Sequence, residues 1–178
     1  MQIGIGILLE EDAYNYARDL ELKISNQFNT KDGLRQPPHV TIKPPFEVSS
    51  LEPFISYFDT LVKSIKPFEL ELGGIDSFAP SVIYIKVTEN PDLENLHLKI
   101  LDELEEQFDI KPNQFEAKGY AFHSTLAMGD LSQDKYAKAM EYLQKENKSF
   151  KFKFTTIGLF YLFEEKDWIV IRVGKVKG

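Results

Sequence analysis

Two of the three histidines in this 178-residue chain stand in the same local pattern, in which threonine follows at the second position and an apolar residue at the third. The first copy reads HVTI and contains His39 and Thr41, and the second reads HSTL and contains His123 and Thr125. Chance would pair two of three histidines with threonine in this way on the order of half a percent of the time. We therefore treat the two copies as one paired motif.

The spacing of the motif has a direct meaning if each copy lies in a strand. Side chains at positions i and i+2 of a strand point to the same face, about 6.5–7 Å apart. His39, Thr41 and Lys43 then share one face, and His123 and Thr125 share another. Two such strands would present two imidazoles and two hydroxyls to one cleft.

This set of groups suits a tetrahedral phosphate. Displacement at phosphorus needs a base for the nucleophile and an acid for the leaving oxygen, and imidazole, with an ordinary pKa of about 6.5, can serve as either. The hydroxyls of Thr41 and Thr125 would donate hydrogen bonds to the non-bridging oxygens. Lys43 and Arg35 are candidate substrate-binding cations, although Lys43 is equally readable as charge at a strand end. The scheme requires no metal and no cofactor.

Hydrophobic periodicity predicts the elements that carry these residues. Helices are predicted at 11–28, about 51–65, 91–108 and 131–147, and strands at 3–9, 39–43, 68–75, 82–88, 120–128, 150–163 and 168–173. The remaining histidine, His97, falls on the apolar stripe of the third helix, which favours a structural role.

The second part of the chain echoes the first. The run Phe68–Leu72 resembles Phe150–Phe154, and Ile83–Val87 resembles Ile169–Val173, although strand alternation alone explains part of this likeness. The repeat predicts a pseudo-twofold α+β domain with a cleft between its halves. We expect one domain over 1–178, with halves at about 1–80 and 81–178.

Composition narrows the class of partner. The formal net charge is -7, from 21 basic and 28 acidic residues, which argues against wrapping long nucleic acid but not against a small phosphorylated nucleotide or an RNA end. The chain has no cysteine, which excludes disulfides and thiolate metal sites. No targeting or membrane-spanning segment is evident, so we expect a cytoplasmic protein without a membrane partner. Nothing in the sequence indicates a protein partner.

The paired motif, together with PPHVTIKPPFE at 37–47 and SFAPSVIYIKV at 77–87, resembles the 2H phosphoesterase superfamily. This superfamily includes 2′-5′ RNA ligase-like enzymes and RNA cyclic phosphodiesterases, and the likeness is strongest to its bacterial YjcG-type branch. The resemblance implies two lobes of mainly antiparallel sheet that line a central cleft, with helices packed outside. It gives His39 and His123 the acid/base roles and Thr41 and Thr125 the phosphate-binding roles. Ser124 stands where the family motif is usually apolar, so different packing is expected behind the second strand.

The hypothesis is a metal-independent phosphoesterase that hydrolyses a 2′,3′-cyclic phosphate or a related phosphodiester on RNA or a nucleotide. Two alternatives use the same residues. One is a non-catalytic module that binds a nucleotide or an RNA end, and the other is 2′-5′ RNA ligation.

Overall fold

Eight strands and four α-helices form the fold, seen in a computed structural model that describes residues 1–177. In chain order they are β1 (Gln2–Leu8), α1 (Glu11–Phe28), β2 (His39–Glu47), α2 (Glu52–Ser64), β3 (Glu69–Phe78), β4 (Val82–Val87), α3 (Pro91–Phe108), β5 (His123–Ala127), α4 (Gln133–Leu143), β6 (Ser149–Lys153), β7 (Thr156–Phe163) and β8 (Asp167–Lys175). A short 3-10 turn, Asp32–Arg35, lies between α1 and β2.

The strands form two antiparallel sheets of four strands each. The first sheet has the order β2-β1-β7-β8 and the second has the order β5-β4-β3-β6. The strands that carry the two motifs, β2 and β5, occupy equivalent edge positions and contact each other where the sheets meet. The predicted α+β architecture with two antiparallel sheet lobes is therefore confirmed.

The chain passes between the sheets at a point that the sequence pattern did not reveal. The strand predicted over 150–163 is two strands, because β6 belongs to the second sheet and β7 to the first. At the break, the buried Phe154 donates its backbone N–H to the carbonyl of Phe68 at 3.2 Å, which extends the pairing of β6 with β3 by one residue before the chain enters the first sheet. The first sheet thus takes strands from both ends of the chain, and the sheets do not divide at residue 80. The division into two similar halves stays a prediction.

The two strands that carry the motifs have different bounds from the predicted strands. β2 continues beyond Lys43 through Pro44 and Pro45. An edge strand tolerates proline because one side of its backbone needs no ladder partner. β5 begins at His123, three residues later than predicted, and the residues before it form a separate segment that packs on α3.

The core lies between the sheets and the helices. On β1, Ile3, Ile5 and Ile7 are buried on the face toward the helices, while glycines alternate with them on the other face. α1 contacts β5 and α3 contacts β2, so each helix touches the sheet that its own flanking strands do not belong to. One continuous hydrophobic cluster results. Among the residues that the structure describes, no helix is both long enough and apolar enough to cross a membrane.

The carboxyl group of Glu21 is buried in this core. Glu21 of α1 is 1% exposed, and the Arg18 guanidinium lies 2.7 Å from one of its oxygens. Neither carboxylate oxygen has a well-aligned hydrogen bond within the described residues. Burial therefore raises the pKa of Glu21 to about 8, and the charge of Arg18 offsets only part of this.

Glu21 makes the stability depend on pH. The pKa of this carboxyl in the folded state, about 8, lies above its ordinary value of 4.5, so its contribution to the free energy of unfolding is complete below pH 4.5 and is lost as the pH rises to 8. We expect Glu21→Gln to raise the free energy of unfolding at pH 8.5, by an amount on the order of a few kcal/mol, but not at pH 4.5. Thermal unfolding at both pH values, with the exposed Glu105→Gln as control, measures this. Equal shifts of Tm at both pH values would contradict it.

Candidate active site

His39 is held in one orientation at the start of β2. Its Nδ1 lies 2.8 Å from the carbonyl oxygen of Pro37, which can only accept, so Nδ1 carries the proton. Its Nε2 lies 3.2 Å from the hydroxyl of Thr41, as expected for side chains two residues apart on one strand face. The imidazole packs on the ring of Phe160 at 4.4 Å between centroids.

His123 repeats this arrangement at the start of β5. Its Nδ1 lies 2.7 Å from the carbonyl oxygen of Ala121, again two residues earlier in the chain. Its ring packs against Phe78 and Tyr84, with centroids 5.0 and 4.8 Å away. In both motifs the carbonyl fixes Nδ1 as the donor and leaves Nε2 as the reactive nitrogen.

The surroundings favour neutral imidazoles. Burial lowers the pKa of His39 to about 4, the Pro37 carbonyl opposes this shift, and the nearby His123 adds to it. Burial also lowers the pKa of His123. An unliganded site therefore holds Nε2 lone pairs that can accept protons, and an anion between the rings would raise both pKa values.

A pocket of about 150 Å³ lies where the two sheets meet, and residues of both sheets line it. His39 and Thr41 line it from the first sheet and Thr125 lines it from the second. His123 stands beside it, close enough for its charge to act on His39. Other residues of the wall are Gln36, Met128, Phe160 and Trp168. Sequence reasoning gave none of these a functional role, and the uniqueness of Trp168 in the chain was the available signal.

A glycine makes room for the first imidazole. A Cβ on Gly6 would lie 2.8 Å from Cδ2 of His39 and 3.1 Å from Cε2 of Phe160, which is too close for a side chain. The rings of His39 and Phe160 therefore occupy the space that a side chain at position 6 would need.

Lys43 departs from the expected strand face. A β-bulge interrupts the register between β1 and β2, so that Thr41 stands opposite Gly6 but Lys43 stands opposite the core residue Ile5. The ammonium of Lys43 forms an ion pair with the carboxylate of Glu116, and both side chains are almost fully buried. Lys43 remains part of the pocket wall, but its charge already has a partner.

Glu116 connects Lys43 to the third histidine. Its other carboxylate oxygen accepts the backbone N–H of Asn113 at 2.6 Å. Its backbone carbonyl lies 2.9 Å from Nε2 of His97, and Nδ1 of His97 lies 2.6 Å from the carbonyl of Ile42 in β2. His97 is fully buried and stacks on Tyr120, three residues before His123. This cluster links the strand of the first motif to the segment that precedes the second.

Arg35 lies outside the pocket wall. Its guanidinium bonds to Asp32 at 3.0 Å and to Asp167 at 3.3 Å, so it ties the 3-10 turn to the start of β8. Behind β5, Ser124 is fully buried and its hydroxyl has no hydrogen-bond partner in the described part of the chain. Across residues 1–177, no group of three or more histidines and acids is arranged to share a metal ion.

Comparison of sequences gives one family and several relatives. The model of the 2′-5′ RNA ligase superfamily matches residues 10–162. A protein of Bacillus thuringiensis (strain Al Hakam) named "Putative phosphoesterase" is 32% identical over 148 residues, which cover 78% of this chain and 80% of that protein. A protein of Bacillus cereus (strain Q1) with the same name matches to the same extent.

Solved structures share the fold at low sequence identity. TT0787 of Thermus thermophilus superposes with a TM-score of 0.69 at 15% identity, over 100% of this chain and 99% of that one. E. coli LigT complexed with 3′-AMP superposes with a TM-score of 0.58 at 16% identity, over 99% of this chain and 98% of that one.

The buried ion pair gives a prediction about stability. Lys43→Met leaves the Glu116 carboxylate buried without its cation, and we expect it to lower the free energy of unfolding by about 3–5 kcal/mol. Lys43→Met combined with Glu116→Gln removes both charges and keeps an acceptor for Asn113, so it should recover most of that loss. Urea unfolding of the wild type, both single variants and the double variant measures the coupling. Additive losses in the double variant would show that the two charges do not depend on each other.

Proposed function

The chain belongs to the 2′-5′ RNA ligase superfamily, and from this premise we propose that it is a phosphoesterase that cleaves a 2′,3′-cyclic phosphate or a related phosphodiester by two-histidine acid/base catalysis. The observation that carries the proposal is the matched fixing of both histidines. In each motif a carbonyl two residues earlier holds Nδ1, so that both Nε2 atoms are free to exchange protons with one bound group.

The threonines supply the phosphate contacts in this proposal. Thr41 and Thr125 line one pocket from opposite sheets, and their hydroxyls would donate to the non-bridging oxygens of the phosphate. These bonds strengthen as charge builds up during the displacement. Thr41 already lies within hydrogen-bond distance of His39 Nε2, so a phosphate oxygen would replace an existing partner.

The two imidazoles take separate roles in this proposal. His39 has its pKa lowered to about 4, so it is neutral when substrate arrives and suits the base that removes a proton from water. His123 lies on the other side of the phosphate, whose negative charge raises the pKa of this imidazole so that its Nε2 also takes up a proton. His123 donates this proton to the leaving oxygen as the P–O bond breaks. The product is a phosphate monoester and an alcohol.

The ligand class follows from the same pocket. Solved structures of E. coli LigT contain 3′-AMP or phosphate, which supports a small nucleotide or an RNA end as ligand here. Trp168 in the pocket wall offers a ring on which the nucleobase that stays with the phosphate can stack. Lys43 and Arg35 are engaged by carboxylates, so we assign the phosphate contacts to the threonines.

Two single substitutions test the proposal. We expect adenosine 2′,3′-cyclic phosphate and an RNA oligomer ending in a cyclic phosphate to be converted to monoesters with EDTA present. His39→Ala and His123→Ala should each lower kcat/KM by about 10²–10⁴-fold, the usual range for loss of a general acid or base. Chromatography of the products measures turnover and shows which oxygen leaves.

The controls separate the alternatives. Circular dichroism checks that the variants are folded, and Arg35→Ala, which lies outside the pocket, should keep most of the activity. Tight binding of the nucleotide by the wild type without any product would favour the non-catalytic module. Joining of RNA ends instead of hydrolysis would favour ligation.

The separate roles of the histidines give a further prediction. A 4-nitrophenyl phosphodiester of a nucleoside has a leaving group that needs no acid, so loss of the acid should matter much less with this substrate. We express the kcat/KM of each variant as a fraction of the wild-type value. For His123→Ala this fraction should be at least about tenfold larger on this ester than on adenosine 2′,3′-cyclic phosphate, whereas for His39→Ala it should be the same on both. Release of nitrophenolate measures the rate. Recovery in His39→Ala instead would reverse the assignment.

A further inference from the structure

A second, larger cavity of about 490 Å³ opens on the second sheet. Its walls come from the end of β4, the beginning of α3 and the segment that leads into β5. Residues that define it are Tyr84, Lys86, Thr88, Glu89, Tyr120 and Phe122. None of them has been used in the proposed chemistry.

His123 stands between this cavity and the pocket at His39. Thr125, on one side of His123 along the chain, lines the first pocket, while Ala121 and Phe122, on the other side, line the second cavity. The Ala121 carbonyl binds Nδ1 of His123. Tyr84 lines the cavity and packs against the ring of His123 at 4.8 Å between centroids, so the cavity adjoins the imidazole that protonates the leaving oxygen.

Lys86 belongs to the same part of the sheet. It is the β4 residue paired with His123, and directly opposed residues of antiparallel strands point to the same face. Lys86 is exposed, and no carboxylate among residues 1–177 lies within ion-pair distance of its ammonium. Its side chain extends over Gly74 of β3, so the wall of the cavity holds a cation without a carboxylate partner.

The walls suit a flat ring. Tyr120 and Phe122 are partly exposed aromatic side chains, on which a nucleobase can stack. Glu89 is exposed at the rim, and its carboxylate can accept hydrogen bonds from the amino group of a base. Lys86 can bind the oxygen atoms of a sugar or of a further phosphate.

We propose that this second cavity binds the alcohol that leaves, as a nucleoside or another group with a flat ring. The inference rests on the proposed function and extends it to the substrate class. In a 2′,3′-cyclic phosphate both ester oxygens belong to one ribose, so the leaving oxygen stays attached to the nucleoside in the first pocket. A cavity beside His123 would be occupied only by a substrate whose leaving alcohol is separate from the nucleoside in the first pocket. The favoured substrate is then an open phosphodiester with an organic group on each side.

The chemistry balances for such a diester. A water oxygen bonds to phosphorus as His39 takes its proton, the bond from phosphorus to the second alcohol breaks, and His123 gives its proton to that alcohol. The departing nucleoside then occupies the second cavity, and the nucleoside monophosphate remains in the first pocket.

Two matched diesters test this substrate class. Both contain the same adenosine phosphate, but one is esterified with the 5′ oxygen of a second adenosine and the other with methanol. Each of the two is prepared once with the phosphate on the 2′ oxygen and once with it on the 3′ oxygen. We expect the wild type to prefer the dinucleoside by about tenfold or more in kcat/KM, as stacking of one base provides. Lys86→Ala and the space-filling Thr88→Trp should each lower this ratio about tenfold, whereas the exposed Lys138→Ala should leave it unchanged.

The outcomes separate this inference from the proposed function. A wild-type ratio near one, or a ratio that neither variant in the cavity changes, would overturn the inference while turnover of either diester still supports the phosphoesterase. Failure of the wild type to turn over both diesters and adenosine 2′,3′-cyclic phosphate would overturn both. Turnover of the cyclic phosphate alone would overturn only the second cavity's assignment.

Discussion

The site depends on holding two edge strands of different sheets side by side. β2 and β5 belong to separate sheets, so no backbone ladder sets the distance between their histidines. The fully buried His97 supplies a link, because its two ring nitrogens face the carbonyls of Ile42 and Glu116. Glu116 in turn binds Lys43 of β2. These buried polar contacts join β2 to the segment that precedes β5, and they favour one arrangement of the two strands.

The two motifs are alike in their hydrogen bonds and unlike in their packing. Each histidine is the first residue of its strand and uses a carbonyl two residues earlier, just before the strand begins. His39 rests on Phe160 over a glycine, whereas His123 is flanked by Phe78 and Tyr84. Since burial controls the pKa of an imidazole, equal backbones with unequal surroundings can assign unequal proton-transfer roles.

Local patterns predicted much of this structure. α1 and α3 begin and end at the predicted residues, and the alternation in a strand placed His39 and Thr41 within reach of each other. The same alternation placed Lys43 on the wrong face, because a bulge adds a residue to the strand without a clear sequence signal. The wall residue Trp168 lies 129 positions after His39, and only the pairing of β7 with both β1 and β8 brings it near. Periodicity carries no information on such pairings.

The chain crosses between the sheets twice, and both crossings pass through one place. Phe154, which begins the short link from β6 to β7, bonds to the backbone of Phe68, which ends the longer link from β2 to β3. Their rings also meet, at 4.7 Å between centroids. The two chain connections between the sheets are thus in direct contact with each other. A substitution at Phe68 or Phe154 would therefore act on how the two sheets are held together, and so on the cleft between them, without touching a residue that lines the pocket.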